Sequence, residues 1–228
     1  MTFTIEPLLH DDLDRFIQTW WDSFEPEAAD QVLPMIYPCG LTPELKTRLT
    51  QRVMNETDGD TVEYCFCARD DESKQIVGVS WWKKLAKPSP SRSEEESKAD
   101  LEAQIQRKNA GPAIAGMNVE LGDAFYRSLY DAERRTIQAK QVPYIGLTVL
   151  GVRPEFARQG AGSLLLEHGL KRVDKLSVPV WLVASSYGRG LYLKHDFEVL
   201  EEFDFDGTKH GGRSKGRHCI MLRPAQSS

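Results

Sequence analysis

Two closely spaced glycines, Gly160 and Gly162, lie in the stretch ARQGAGS between a proline-marked loop and a leucine-rich segment. A glycine-rich turn that follows a buried strand and opens a helix gathers free backbone N–H groups at the positive end of the helix dipole. Phosphate is the usual ligand of that arrangement. The alternative is that the glycines only let a helix pack closely on a sheet, and local features alone do not decide between the two.

The residues after the glycines narrow the choice of phosphate ligand. A P-loop ends in Gly-Lys-Ser/Thr, whereas Gly162 is followed by Ser163 and Leu164. A dinucleotide-binding fingerprint has a third glycine where Leu165 stands, and it normally occurs in the first βαβ unit of its domain. Both motifs are therefore disfavoured.

Hydrophobic periodicity predicts the elements that would position the glycines. Residues 142–152 (VPYIGLTVLGV) form a nearly continuous apolar run typical of a central strand, residues 160–176 predict a helix, and residues 178–184 predict another buried strand. Over the whole chain the order of elements indicates an α+β fold, in which a mixed sheet of about six to seven strands carries helices on its faces. We expect a single domain over residues 1–228, with a polar, partly helical insertion at about residues 86–115.

Composition excludes several classes of partner. The formal net charge of -5 and the absence of a dense Lys/Arg run argue against nucleic acid, and no segment approaches the length of an apolar membrane span. The four cysteines form no C-x-x-C pair and the five histidines are scattered, so no metal is expected. Cys65 and Cys67 are interpreted as buried side chains on one face of a strand. We expect a cytoplasmic monomer or homodimer.

Two motifs carry a family resemblance. The stretch VRPEFARQGAGSLLL, from Val152, resembles the acetyl-CoA-binding motif of the GNAT acetyltransferases, which runs V-x-P, then Arg or Gln, two residues, Gly, any residue, and Gly or Ala. Downstream, LYLKHDF (residues 191–197) is similar to the family's L-Y-x-K-x-G-F helix. The likeness covers the order of elements over almost the whole chain, and it looks closest to a branch found largely in fungi. It implies acetyl-CoA as acyl donor but does not identify the acyl acceptor. We expect direct transfer of the acetyl group to a small-molecule amine or hydroxyl.

The resemblance also implies roles for particular residues. The end of the central strand would pair with the pantetheine arm and help to polarise the thioester carbonyl, and the glycine turn would hold the pyrophosphate. Two residues depart from the motif, since Ala157 stands where the family has Arg or Gln and Asp196 stands where it commonly has Gly. The implied cofactor residues are Leu150, Gly151 and Val152 on the strand, with Arg158, Gln159, Gly160, Ala161, Gly162 and Ser163 in the turn.

Catalysis of this kind needs an oxyanion donor, an acid for the leaving thiolate and a deprotonated nucleophile. Tyr192, in the L-Y-x-K position, resembles the family's acid. Related sequences often carry Glu in the strand where this chain has Val183, so that candidate base is absent. The remaining candidate bases are Asp22, Glu25, Glu120 and Asp123, although each also suits a solvated surface position.

The acceptor site would lie opposite the cofactor arm, lined by the first helix and loop and by the last hairpin. The candidate lining residues are Trp20, Trp21, Phe24 and Tyr37, with Trp82 as a further candidate, and they favour a small aromatic or cationic amine. Two rival hypotheses stay open. The chain could be a GNAT-like module that binds acetyl-CoA without catalysis, or an enzyme that acylates a protein lysine or N-terminus.

Overall fold

A computed structural model describes residues 1–24, 32–55, 62–83, 85–86, 93–110 and 113–226. Within these ranges a seven-stranded sheet carries helices on both faces, which confirms the predicted α+β class. The strands are β1 (Phe3–Leu8), β2 (Val62–Asp70), β3 (Ile76–Trp82), β4 (Ile145–Val152), β5 (Val180–Ser185), β6 (Glu198–Asp206) and β7 (Lys215–Arg223). The helices are α1 (Leu13–Asp22), α2 (Leu33–Ile36), α3 (Pro43–Asn55), α4 (Glu94–Asn109), α5 (Val119–Thr136), α6 (Ala161–Asp174) and α7 (Ser186–Leu193).

The strand order β1-β2-β3-β4-β5-β7-β6 places a parallel pair in the middle of the sheet. Strands β4 and β5 are parallel and share only three residue pairs, of which Leu147 with Leu182 is the last, while the other neighbours are antiparallel. Beyond Leu147 and Leu182 the two strands separate. A gap therefore opens in the sheet between the C-terminal ends of β4 and β5.

Two sets of helices cover the two faces. Helices α6 and α7 pack on one face, which we call the α6 face, in a core that includes Leu166, Leu182 and Tyr192. On the other face, which we call the α5 face, α1 and α3 cover β2 to β4, and α5 covers β5 and β7. Cys65 and Cys67 are buried together on this second face, as predicted.

The connection between β3 and β4 contains α4 and α5. Helix α4 begins after Ser93, whose side chain accepts the Glu96 N–H while the Glu96 carboxylate accepts the Ser93 N–H, a reciprocal capping box. Its buried residues Leu101 and Ile105 pack against Tyr130 of α5. The helical part of the predicted insertion is thus α4. Across the described ranges, no helix is both long and apolar enough to cross a bilayer.

Candidate active site

The start of α6 presents backbone N–H groups without acceptors. Leu164 is the first residue of the helix whose N–H bonds backwards, to the Gly160 carbonyl at 3.1 Å. The N–H groups of Ala161, Gly162 and Ser163 therefore have no partner among the described residues, and no side chain caps the helix. Together with the helix dipole, these three groups form a site suited to an anion.

The two glycines of this turn differ in backbone conformation and in what surrounds them. Gly160 has φ 100°, a conformation that L side chains rarely adopt, while a Cβ there would meet open space. A Cβ on Gly162 would lie 3.6 Å from both Val152 and Leu191, an ordinary van der Waals distance, so the start of α6 lies beside the end of β4 and beside α7. Of the two glycines, Gly160 is the one whose backbone conformation requires glycine.

A bulge in β4 lies where the strand separates from β5. Trp81 of β3 pairs with Val149 but Trp82 pairs with Leu147, so Thr148 is an extra residue on β4. The Thr148 hydroxyl is buried and has no hydrogen-bond partner within the described part of the chain. Bulges of this kind re-aim the local peptide groups and side chains, often beside active sites. This bulge was not predicted.

The end of α1 lies against the end of β4. A Cβ built on Gly151 would lie 2.1 Å from the Ser23 hydroxyl oxygen and 2.7 Å from the Ser23 Cβ. Since Ser23 directly follows α1, this contact brings Asp22 and Phe24 to the same end of β4. The predicted acceptor side and the predicted thioester side thus meet at Gly151.

We expect Gly151→Ala to reduce the free energy of unfolding by about 2 kcal/mol, because the new methyl group overlaps Ser23 and forces α1 away from β4. Thermal or urea denaturation measures the loss. The double variant Gly151→Ala/Ser23→Gly should recover most of it, with Ser23→Gly alone as the matched control. A single Gly151→Ala variant as stable as the wild type would contradict the contact.

Tyr192 is buried, with an exposed fraction of 7%, and its ring makes an edge-to-face contact with Phe197 at 5.6 Å. Burial raises the pKa of Tyr192 above its usual value, so the phenol is protonated at neutral pH, as an acid for a thiolate requires. The hydroxyl donates to no described residue. Asp196 has φ 63°, a left-handed conformation that favours glycine, which explains why the motif commonly has Gly there.

No protein-family model and no curated protein sequence matches the chain. Solved structures do match. Arylalkylamine N-acetyltransferase 2 of Aedes aegypti is 14% identical, covers 99% of this chain and 100% of its own, and has a TM-score of 0.69. A phosphinothricin acetyltransferase of the GNAT superfamily from Sinorhizobium meliloti, solved with acetyl-CoA, is 16% identical, covers 99% and 89%, and has a TM-score of 0.57.

The chain has the GNAT fold. A third structure, the polyamine N-acetyltransferase of Drosophila melanogaster, agrees at 13% identity, 97% and 99% coverage and a TM-score of 0.68. At these identities the likeness establishes the fold alone. In the GNAT fold of this chain, the gap between β4 and β5, the start of α6 and Leu191 beside Tyr192 form one connected region.

The GNAT fold separates the five aromatic acceptor candidates. Trp20 packs edge-to-face on Trp81 at 5.7 Å. Three others, Trp21, Phe24 and Tyr37, pack half-buried against the same core. Trp82 belongs to the core of the α6 face, with its indole N–H directed to the Ser80 hydroxyl at 3.3 Å. Trp82 therefore does not lie with the other four, which corrects the grouping predicted from the sequence. Neighbouring residues on a strand face opposite ways, and it is Trp81 that packs beside Trp20.

The candidate bases are also dispersed. Asp123 accepts hydrogen bonds from the Asn109 amide at 3.0 and 3.1 Å, and Lys108 lies 3.5 Å away. Glu120 is exposed and lies 3.1 Å from the His210 ring. Asp22 accepts a bond from Gln18 at 2.9 Å and is the candidate next to the end of β4. Glu25 lies outside the described residues. Among the residues that the structure describes, no group of three or more His, Cys, Asp or Glu side chains could hold a metal ion.

Proposed function

We propose that the chain binds acetyl-CoA and transfers its acetyl group to a small-molecule amine. The observation that carries the proposal is the gap between β4 and β5, which ends at the unpaired N–H groups that open α6. A pantetheine arm has amide groups that can pair with a free strand edge, and a pyrophosphate suits a helix start. Coenzyme A carries both groups in one molecule, so one ligand can occupy both features.

The residues of the gap have separate parts in this proposal. The edge of β4 at Leu150, Gly151 and Val152 binds the arm, and the turn from Arg158 to Ser163 binds the pyrophosphate. The peptide groups re-aimed by the Thr148 bulge donate to the thioester oxygen as negative charge develops there. As the acceptor nitrogen bonds to the acetyl carbon and the C–S bond breaks, Tyr192 gives its proton to the sulfur.

The acceptor is proposed to be a small aromatic or cationic amine. Trp21, Phe24 and Tyr37 supply half-buried aromatic surface, and Asp22 supplies a carboxylate at the end of β4. Two structural neighbours, an arylalkylamine N-acetyltransferase and a polyamine N-acetyltransferase, are named for amines of this class. The resemblance to a branch found largely in fungi stays a prediction.

A thermal-shift and product assay tests the proposal. Acetyl-CoA at about 100 times its dissociation constant should add about 2.7 kcal/mol to the stability of the protein. S-acetylpantetheine, which lacks the pyrophosphate, is the matched ligand and should add much less. Release of coenzyme A with 2-phenylethylamine or agmatine supports the enzyme. Stabilisation without release on amines, alcohols or peptides supports the binding module, and release only with peptides supports a protein acetyltransferase.

We expect Ala157→Arg to tighten acetyl-CoA binding by about tenfold, because the new guanidinium can form charge-assisted hydrogen bonds to the pyrophosphate. Ala157 is exposed beside the turn, so the longer side chain meets no core atoms. Isothermal titration measures the dissociation constant, and Ala157→Glu is the charge-reversed control, expected to weaken binding. Equal affinities in all three proteins would show that residue 157 does not face the phosphates.

A further inference from the structure

His218 occupies a buried position on β7, with an exposed fraction of 5%. Its ring is on the α5 face, since it stacks on Phe203 at 5.3 Å and contacts Phe125 of α5 at 5.4 Å. The next residue, Cys219, faces the opposite core. The imidazole is therefore enclosed between the sheet and α5, in a position that no motif of the sequence indicated.

The register of β5 and β7 places His218 directly opposite Ser185. Residues opposite each other in an antiparallel pair have Cβ atoms about 4.5–5.5 Å apart and lie on one face of the sheet. Ser185 ends β5, three residues past the last pair that β5 makes with β4. Ser185 thus lies between the gap in the sheet and the His218 ring.

The Ser185 hydroxyl is already oriented. It accepts the Gly188 N–H at 3.4 Å and so caps α7, the helix that carries Tyr192. An oxygen that accepts one bond there still has its own proton to donate and a second lone pair. Ser185 therefore contacts α7, the helix of Tyr192, and also lies opposite His218 on β7.

The side chains that contact the His218 ring are mainly aromatic. Phe125 faces it from α5, Phe203 stacks on it from β6, and β5 contributes Ser185 and, one position further, Val183. The charged groups of the hairpin beside it are Asp204 and Arg217, which form an exposed ion pair at 2.9 Å. The hydrogen bond from Arg217 lowers the pKa of Asp204. In its neutral form an imidazole has one ring nitrogen that can accept a proton.

We infer that His218 accepts the proton that the acceptor amine must lose, with Ser185 as the relay. This inference rests on the proposed function. The acceptor's ammonium gives one proton to Ser185 as Ser185 gives its own to His218, and the resulting amine attacks the thioester. The C–N bond forms, the C–S bond breaks, and Tyr192 protonates the sulfur. A second proton from the nitrogen restores Tyr192, and His218 returns its proton to water.

The pH dependence of turnover in His218→Gln tests the inference, because glutamine keeps a polar side chain of similar length but cannot titrate. With 2-phenylethylamine as acceptor, kcat/KM at neutral pH should fall by about 10²–10³-fold. The acid limb of the profile should disappear, because glutamine does not titrate. The melting temperature and the dissociation constant of acetyl-CoA should stay at wild-type values. If His218 had only a structural role, its replacement would change stability or binding and would not remove the acid limb alone.

His210→Gln is the matched control, since His210 lies in the same hairpin but is partly exposed and paired with Glu120. It should keep both the rate and the acid limb. If His218→Gln retains both while the wild type turns over, the inference is overturned and the proposed function stands. A wild type that binds acetyl-CoA but releases coenzyme A with no amine overturns both.

A second measurement covers the case in which the variant does not fold. The imidazole of His218 can be titrated by NMR in the wild-type protein with coenzyme A bound. Agreement between this pKa and the kinetic acid limb supports the inference. An imidazole that titrates more than about one unit away from the limb overturns it.

Discussion

Replacing Tyr192 with phenylalanine should lower kcat by about 10²–10³-fold while the dissociation constant of acetyl-CoA stays within about twofold. The substitution removes only the hydroxyl, and the ring keeps its edge-to-face contact with Phe197. Because burial raises the pKa of Tyr192, the lost group is a protonated acid throughout the neutral range. Steady-state release of coenzyme A and isothermal titration measure the two quantities on the same preparations.

Tyr187→Phe is the matched control for this experiment. Tyr187 is on the same short helix, but it is 67% exposed. Its loss should leave kcat unchanged. If both tyrosine variants show wild-type turnover with a verified acceptor, the leaving thiolate takes its proton from another source and the assignment of Tyr192 fails.

Gly160→Asp should weaken acetyl-CoA binding by about 100-fold or more, and the positive φ should cost about 1–3 kcal/mol of stability. Aspartate tolerates positive φ better than other side chains and is a favourable first residue for a helix. Its carboxylate would then lie at the N–H groups that open α6, where it competes with and repels a pyrophosphate. Isothermal titration of each variant measures the effect.

Gly160→Asn separates charge from backbone strain, since it has the same shape and no charge. Its affinity should fall by less than about tenfold, and raising the salt concentration should narrow the gap between the two variants. Equal affinities for Asp and Asn would mean that the phosphates lie elsewhere. In that case the proposed position of the cofactor, but not the fold, would have to change.

The second half of the chain was predictable because its signals are local. The apolar runs of β4 and β5, the leucine spacing of α6 and the L-Y-x-K segment each depend on a short window of sequence. The positive φ of Gly160, which requires glycine there, is visible only in the structure. Helix α7 begins at Ser186, five residues before the L-Y-x-K segment, because the Ser185 side chain caps it there.

The remaining features depend on register between distant strands, which sequence periodicity does not fix. The Thr148 bulge follows from how β3 pairs with β4, and the same pairing decides that Trp81, not Trp82, lies beside Trp20. The opposition of Ser185 and His218 follows from the pairing of β5 with β7. In each case the sequence shows the type of the residue but not which residue of the adjacent strand lies opposite it.

The short seam between β4 and β5 has a consequence for how the molecule opens. Three residue pairs join the strands β1 to β4 to the strands β5 to β7, compared with eight between β6 and β7. With so few paired residues, this junction is where we expect the sheet itself to open first, although the core of the α6 face packs across it. A ligand in the gap would bridge both blocks of strands, so its binding energy would be added to the cost of parting them. With a ligand bound in the gap, we therefore expect the sheet to unfold as one unit, and without it as two.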